Sequence, residues 1–191
     1  GAGMIPEQHN NDPQKTLFTP LRALPGNYGS GFIIENLKPN GQGRLRVGLN
    51  SNNTAGFNMV QLTQLGTYAD GSNYYDDKGL SVQYSINGFG ENLRTAFDSG
   101  GGPAVQFFTG NEAGYPLRGN LVAPRQNFSA SLPDIFDWQF TTGRKAGFNR
   151  VRINPVSAQK GAFVNTGISF YFQYDVIYDF KNGMLGFRSN E

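Results

Sequence analysis

From Gly31 onward, short apolar runs alternate with turn signals at the spacing of a β domain. The runs predict strands over 31–36, 43–49, 59–65, 80–86, 94–97, 105–108, 137–141, 151–153 and 169–180. Asn40-Gly41, Asn87-Gly88, Thr142-Gly143 and Asn182-Gly183 punctuate them, and such dipeptides accept the positive φ of tight turns. Only 102–109 and 168–174 leave room for a short helix. In the last run Ile168, Phe170, Phe172, Tyr174, Val176, Tyr178 and Phe180 share one face, while Ser169, Gln173, Asp175 and Asp179 share the other. That two-residue period predicts one long strand with an apolar and a polar side. It also suits a strand of an outer-membrane barrel. Such a barrel repeats strands of about ten residues, however, and the other runs here are short and interrupted by 10 prolines.

Residues 1–30 read differently. Pro6, Pro13, Pro20 and Pro25 stand among polar residues, which predicts an extended N-terminal arm. Gly1-Ala2-Gly3 ahead of Met4 reads as a cloning remnant, standing where a leader or an upstream domain would be expected. No repeat or linker divides 31–191, so one domain is expected there.

Composition narrows the function. A chain of 191 residues can bury one sizeable core. Sixteen basic against 14 acidic side chains give a formal charge of +2, which excludes the broad positive face of a duplex-binding protein. Charged residues are 16 %, while Gly (26), Asn (20) and Phe plus Tyr (25) are abundant, a balance suited to strands and turns. Cysteine is absent, so disulfides, zinc thiolates and thiol nucleophiles are excluded. The one histidine, His9, sits in the polar arm and reads as a solvated tail residue. A histidine triad or a multi-histidine metal site would have to be built on that ring, so no metal and no cofactor is expected. No apolar run approaches 18 residues and no secretory signal is visible. The cysteine-free, Asn- and Gly-rich composition fits a secreted, periplasmic or cell-surface protein.

One carboxylate stands apart. Asp98 ends the apolar run Leu93-Arg94-Thr95-Ala96-Phe97 and is followed by Ser99-Gly100-Gly101-Gly102. Glycine there lets the chain bend so that backbone N–H groups face the carboxylate, and the serine hydroxyl can reach a neighbouring loop. Asp-Ser-Gly is also an ordinary turn. Asp134 and Asp137, three apart beside Pro133, read as a solvated turn rather than a glycosidase pair. Asn87-Gly88-Phe89-Gly90 does not complete a nucleotide-binding glycine fingerprint. Trp138, the single tryptophan, reads as core or rim.

Asp98-Ser99-Gly100 resembles the Asp-Thr/Ser-Gly signature of pepsin-like aspartic proteases, and the C-terminal run from Asn165 to Phe187 looks like the closing segment of that family without gaps. Gly43-Arg44-Leu45-Arg46-Val47-Gly48-Leu49 resembles its opening strand, 80–87 with 94–100 the hairpin into its catalytic loop, and Leu132-Pro133-Asp134-Ile135 with Phe140 and Gly143 its next strand pair. The resemblance covers roughly 31–187 and is nearest to the disulfide-free bacterial type. It implies an all-β fold for 31–191: a single lobe, half of a bilobal acid protease barrel. It further implies a polypeptide substrate and Asp98, Ser99 and Gly100 as catalytic-loop residues. Two carboxylates that share one proton would activate a water for peptide hydrolysis.

The sequence departs from the pattern at three places. Gly101 stands where the family carries a Ser or Thr that donates to the outer carboxylate oxygen. Asn165-Thr166 replaces two apolar residues before Gly167 and puts polar groups beside the loop; Val164-Asn165-Thr166-Gly167 also reads as a second signature with Asn for Asp, against the gapless register. The chain holds a single Asp-Ser/Thr-Gly, whereas the family needs two acids. The expected partner is therefore a second lobe, as an N-terminal part of the same gene product, or a second copy of the chain. The alternative is a non-catalytic binding or structural module on the protease fold.

Overall fold

Asn87 and Gly88 adopt φ of 50° and 86°, the left-handed pair that a tight hairpin requires, and they set Ile86 opposite Phe89. The computed structural model containing this hairpin describes residues 21–68, 70–143, 148–156 and 161–190. His9 and the prolines Pro6, Pro13 and Pro20 of the expected arm lie outside the described residues, as does Met4. The rest of that stretch, residues 21–30, is turn followed by a 3-10 turn, Gly26–Ser30, with the Asn27 amide donating to the Leu49 carbonyl.

The described residues are all-β, with short 3-10 turns and no α-helix. In chain order the first strands are β1 (Gly31–Glu35), β2 (Arg44–Val47), β3 (Asn58–Gln61), β4 (Gln64–Thr67) and β5 (Asn73–Tyr75). They are followed by β6 (Leu80–Ile86), β7 (Phe89–Ala96), β8 (Ala104–Phe108), β9 (Leu117–Arg118), β10 (Leu121–Val122) and β11 (Asn127–Leu132). The last are β12 (Phe136–Thr141), β13 (Arg150–Asn154), β14 (Phe163–Asn165), β15 (Tyr174–Asp179) and β16 (Met184–Ser189). The sheets are open; none of them closes into a barrel. No described helix is long and apolar enough to cross a membrane.

The chain divides into two compact units. One is built from the described residues up to Asp77 and from Tyr171 onward. Its five-stranded sheet runs β2-β1-β15-β16-β3, beside the β4-β5 ribbon. Ile33, Leu49, Phe57 and Ile177 form a core there, and Phe32 stacks on Tyr178. On this sheet Glu35 and Asp175 are buried, at 5 % and 3 % exposure. Burial of charge requires partners, and both carboxylates have them. Arg46 binds Glu35, and Arg188 binds Asp175 at 2.7 Å while lying over the Phe57 ring.

The other unit is Lys78–Phe170. Its nine-stranded sheet runs β12-β11-β6-β7-β14-β8-β13-β10-β9. Trp138, Phe128, Tyr84 and Phe107 fill its core with edge-to-face and tilted ring pairs. Trp138, only 1 % exposed, is core.

Several sequence expectations change here. The 59–65 run splits into β3 and β4, which join different sheets. The 102–109 segment, where a helix had room, contains strand β8 instead. The expected long strand over 169–180 begins as a 3-10 turn, Ile168–Phe172, and only 174–179 is strand. Its alternation does not make one polar face, because β15 lies inside its sheet and is buried on both sides, Asp175 and Asp179 included. Asp179 is held by the Asn182 backbone N–H and side-chain amide.

Candidate active-site loop

Three strand ends meet inside the nine-stranded sheet. β14 lies between β7 and β8, parallel to the first and antiparallel to the second. Val164 sits opposite Thr95 on one side and Phe107 on the other, and all three are completely buried. One residue further, Asn165 faces Ala96 and Gln106. β7 ends, β14 ends and β8 begins at the same place, so the 97–103 loop passes beside the turn that follows β14.

That loop carries Asp98. Phe97 anchors it from below, meeting Phe136 and Phe170 edge-on, while Phe170 also meets Trp138. Asp98 itself is half-buried, as is Ser99, and Gly100 is exposed. Gly100 donates its N–H to Asp98 Oδ1 at 3.0 Å, and Gly101 donates to the Asp98 carbonyl at 3.0 Å. The expected bend that aims a backbone N–H at the carboxylate is present. The Ser99 hydroxyl, expected to brace a neighbouring loop, makes no hydrogen bond among the described residues.

The turn after β14 is stitched to this loop. Thr166 donates its backbone N–H to the Ala96 carbonyl (3.0 Å), Ile168 to that of Gly102 (3.2 Å), and the Ser169 hydroxyl donates to Pro103. Asn165 Nδ2 donates to Asp98 Oδ2 at 2.9 Å, while Asn165 Oδ1 accepts from the Gly167 N–H at 2.8 Å. Asp98 Oδ2 thus has a donor although residue 101 lacks a side chain. Glycine is required at two points of contact. A Cβ on Gly101 would stand 2.9 Å from Gly167 Cα, and one on Gly167, at φ 57°, would stand 2.2 Å from the Gly102 carbonyl oxygen. Among the described residues, the Asp98 carboxylate therefore accepts from two neutral donors and from no arginine or lysine.

Other candidates separate cleanly. Asp134 and Asp137 are exposed on the β11–β12 hairpin, and Asp137 takes a hydrogen bond from Gln139. Among the described residues no group of three acidic, histidine or cysteine side chains could hold a metal. A polar cluster that the sequence reading missed lies on Glu91, whose carboxylate accepts from the Thr109 and Tyr115 hydroxyls and the Asn111 amide. Burial pushes the Tyr115 phenol well above the ordinary tyrosine range, and its bond to Glu91 adds to that. Glu91 on β7 thereby pins the 109–115 segment, a structural use that no local sequence pattern announces.

Fold and loop together define an all-β protein that presents a loop-borne carboxylate. No family model matches the chain, and no curated protein does. Among solved structures it is similar to basic 7S globulin from soybean, at 12 % sequence identity and a TM-score of 0.45, over 83 % of this chain and 50 % of that one. The chain spans about half the length of that protein.

Proposed function

We propose that this chain is one lobe of a pepsin-like aspartic peptidase, with Asp98 as its single catalytic carboxylate. The observation that carries the reading is the Asp98 loop: a half-buried carboxylate, held by one N–H from its own bend and one amide from an adjacent strand. A second carboxylate, brought by another lobe or a second copy, would share one proton with Asp98. The ionised member takes a proton from the water lying between them, and that water attacks the scissile carbonyl, which the protonated member polarises. Collapse of the resulting tetrahedral adduct releases the amine and the acid. The substrate is an extended polypeptide, and the compartment proposed is secretory, periplasmic or the cell surface.

Cleavage of a peptide library at pH 3–6 tests this, for the chain over a range of concentrations and for the full product of its gene. The reading expects pepstatin-sensitive cleavage that Asp98→Asn abolishes. A rate per chain that rises with concentration identifies the second copy as partner, whereas activity confined to the full gene product identifies a second lobe. Cleavage that survives Asp98→Asn, or none in any of these forms, overturns the catalytic reading and leaves a binding module.

A further inference from the structure

The geometry points to Asn165 as the positioning residue for Asp98, an assignment that rests on Asp98 being the functional carboxylate. The two hydrogen bonds to that carboxylate differ in what they tie it to. Gly100 belongs to the same bend as Asp98, so its N–H moves with the loop. Asn165 belongs to β14, whose preceding residue Val164 is completely buried between two strands. Among the described residues, only the Asn165 amide connects the carboxylate to a neighbouring strand of the sheet, and it thereby sets the plane in which Oδ1 and Oδ2 lie.

The carboxamide cannot be reversed. The Gly167 N–H can only donate, so it must face Oδ1, and Nδ2 is then left for Asp98 Oδ2. The approach depends on Gly101, because a Cβ there would lie 2.9 Å from Gly167 Cα and 3.2 Å from Asn165 Oδ1. The bare Gly101 and the amide of Asn165 thus work together: the first lets the two turns touch, and the second uses that contact to hold the acid. A side chain at 101 would push away the group that orients Asp98.

The test reads the amide directly. In the intact chain labelled with nitrogen-15, the Asn165 side-chain NH2 resonances should shift as Asp98 takes up a proton, and that titration should vanish in Asp98→Asn. Gly101→Ala should shrink it by displacing the 165–167 turn. An Asn165 amide that does not titrate, or that titrates unchanged in Asp98→Asn, overturns the assignment. This measurement needs no cleavage, so it stands or falls separately from the peptidase reading. In whichever form of the protein cleaves peptide, Asn165→Val should lower kcat on the order of tenfold to a hundredfold at unchanged KM, the signature of a misplaced group rather than weakened substrate binding. A folded Asn165→Val protein with full kcat overturns the assignment as well.

Discussion

Replacing Asn165 by Asp turns the donor facing Asp98 into a second carboxylate oxygen at the same place. The present separation between the facing atoms is 2.9 Å, and both residues are half-buried. Two unit charges 4 Å apart repel by about 1 kcal/mol in water and about 4 kcal/mol at the effective dielectric of a protein surface, so about 2 kcal/mol suits this site. Loss of the hydrogen bond to the carboxylate adds about 1.5 kcal/mol. Asn165→Asp should therefore destabilise the protein by about 3.5 kcal/mol at pH 7. The sign with pH follows from proton sharing. Repulsion raises the folded-state pKa of one carboxyl above its unfolded value of about 4, so the cost is complete above the raised value and fades as pH falls toward 4. Urea denaturation of the parent, Asn165→Asp and Asn165→Leu at pH 7 and pH 4 measures this. The Leu variant loses the hydrogen bond without gaining a charge and serves as the control. A gap between Asp and Leu variants that is the same at both pH values would refute the reasoning, since the two side chains would then not face each other.

Other parts of the molecule give equally direct expectations. Arg188→Ala leaves the buried Asp175 with the Asn36 N–H as its one donor among the described residues and removes one of the cations near Glu35, so it should cost about 3 kcal/mol in chemical denaturation; adding Asp175→Asn should recover part of the loss. Burial raises the Tyr84 phenol, against a smaller opposing effect of its Thr95 hydrogen bond, and burial with the Glu91 contact raises Tyr115. A raised tyrosine favours the neutral, folded form. Its stability is present below pH 10, and each phenol should lose about 1.4 kcal/mol per pH unit above that, so phenolate absorbance at 295 nm should appear together with unfolding. Gly167→Ala puts a Cβ against the Gly102 carbonyl at positive φ, and should lower the melting temperature more than Gly102→Ala, where the space is open.

How much of this the sequence revealed depends on whether the signal was local. The Asn-Gly turns at 40–41, 87–88 and 182–183 are legible because a dipeptide alone demands positive φ, and each glycine adopts it. The Asp98 bend is legible for the same reason, since apolar strand, acid, serine and glycine follow one another directly. β14 is not legible. It is three residues long and owes its existence to pairing with β7 and β8, more than fifty residues away in sequence. β11 went unseen as well, because its inward positions include Ala130, too small to mark a periodic face beside Phe128. In β15 the alternation of residue types was real, but a central strand buries both faces, and the acids on the second face are held by Arg188 and Asn182. The Asn165–Asp98 contact combines both cases. That polar residues before Gly167 stand beside the loop was legible from the pattern, yet which atom they offer was not. A side-chain amide donates to Asp98 Oδ2 beside the bare residue 101, and this follows only once a short interior strand, a bare glycine and a bend are folded against one another. The two sequence departures, a missing side chain at 101 and an extra polar one at 165, are for that reason parts of a single local solution, and altering either without the other should disturb Asp98 more than their separation of sixty-four residues suggests.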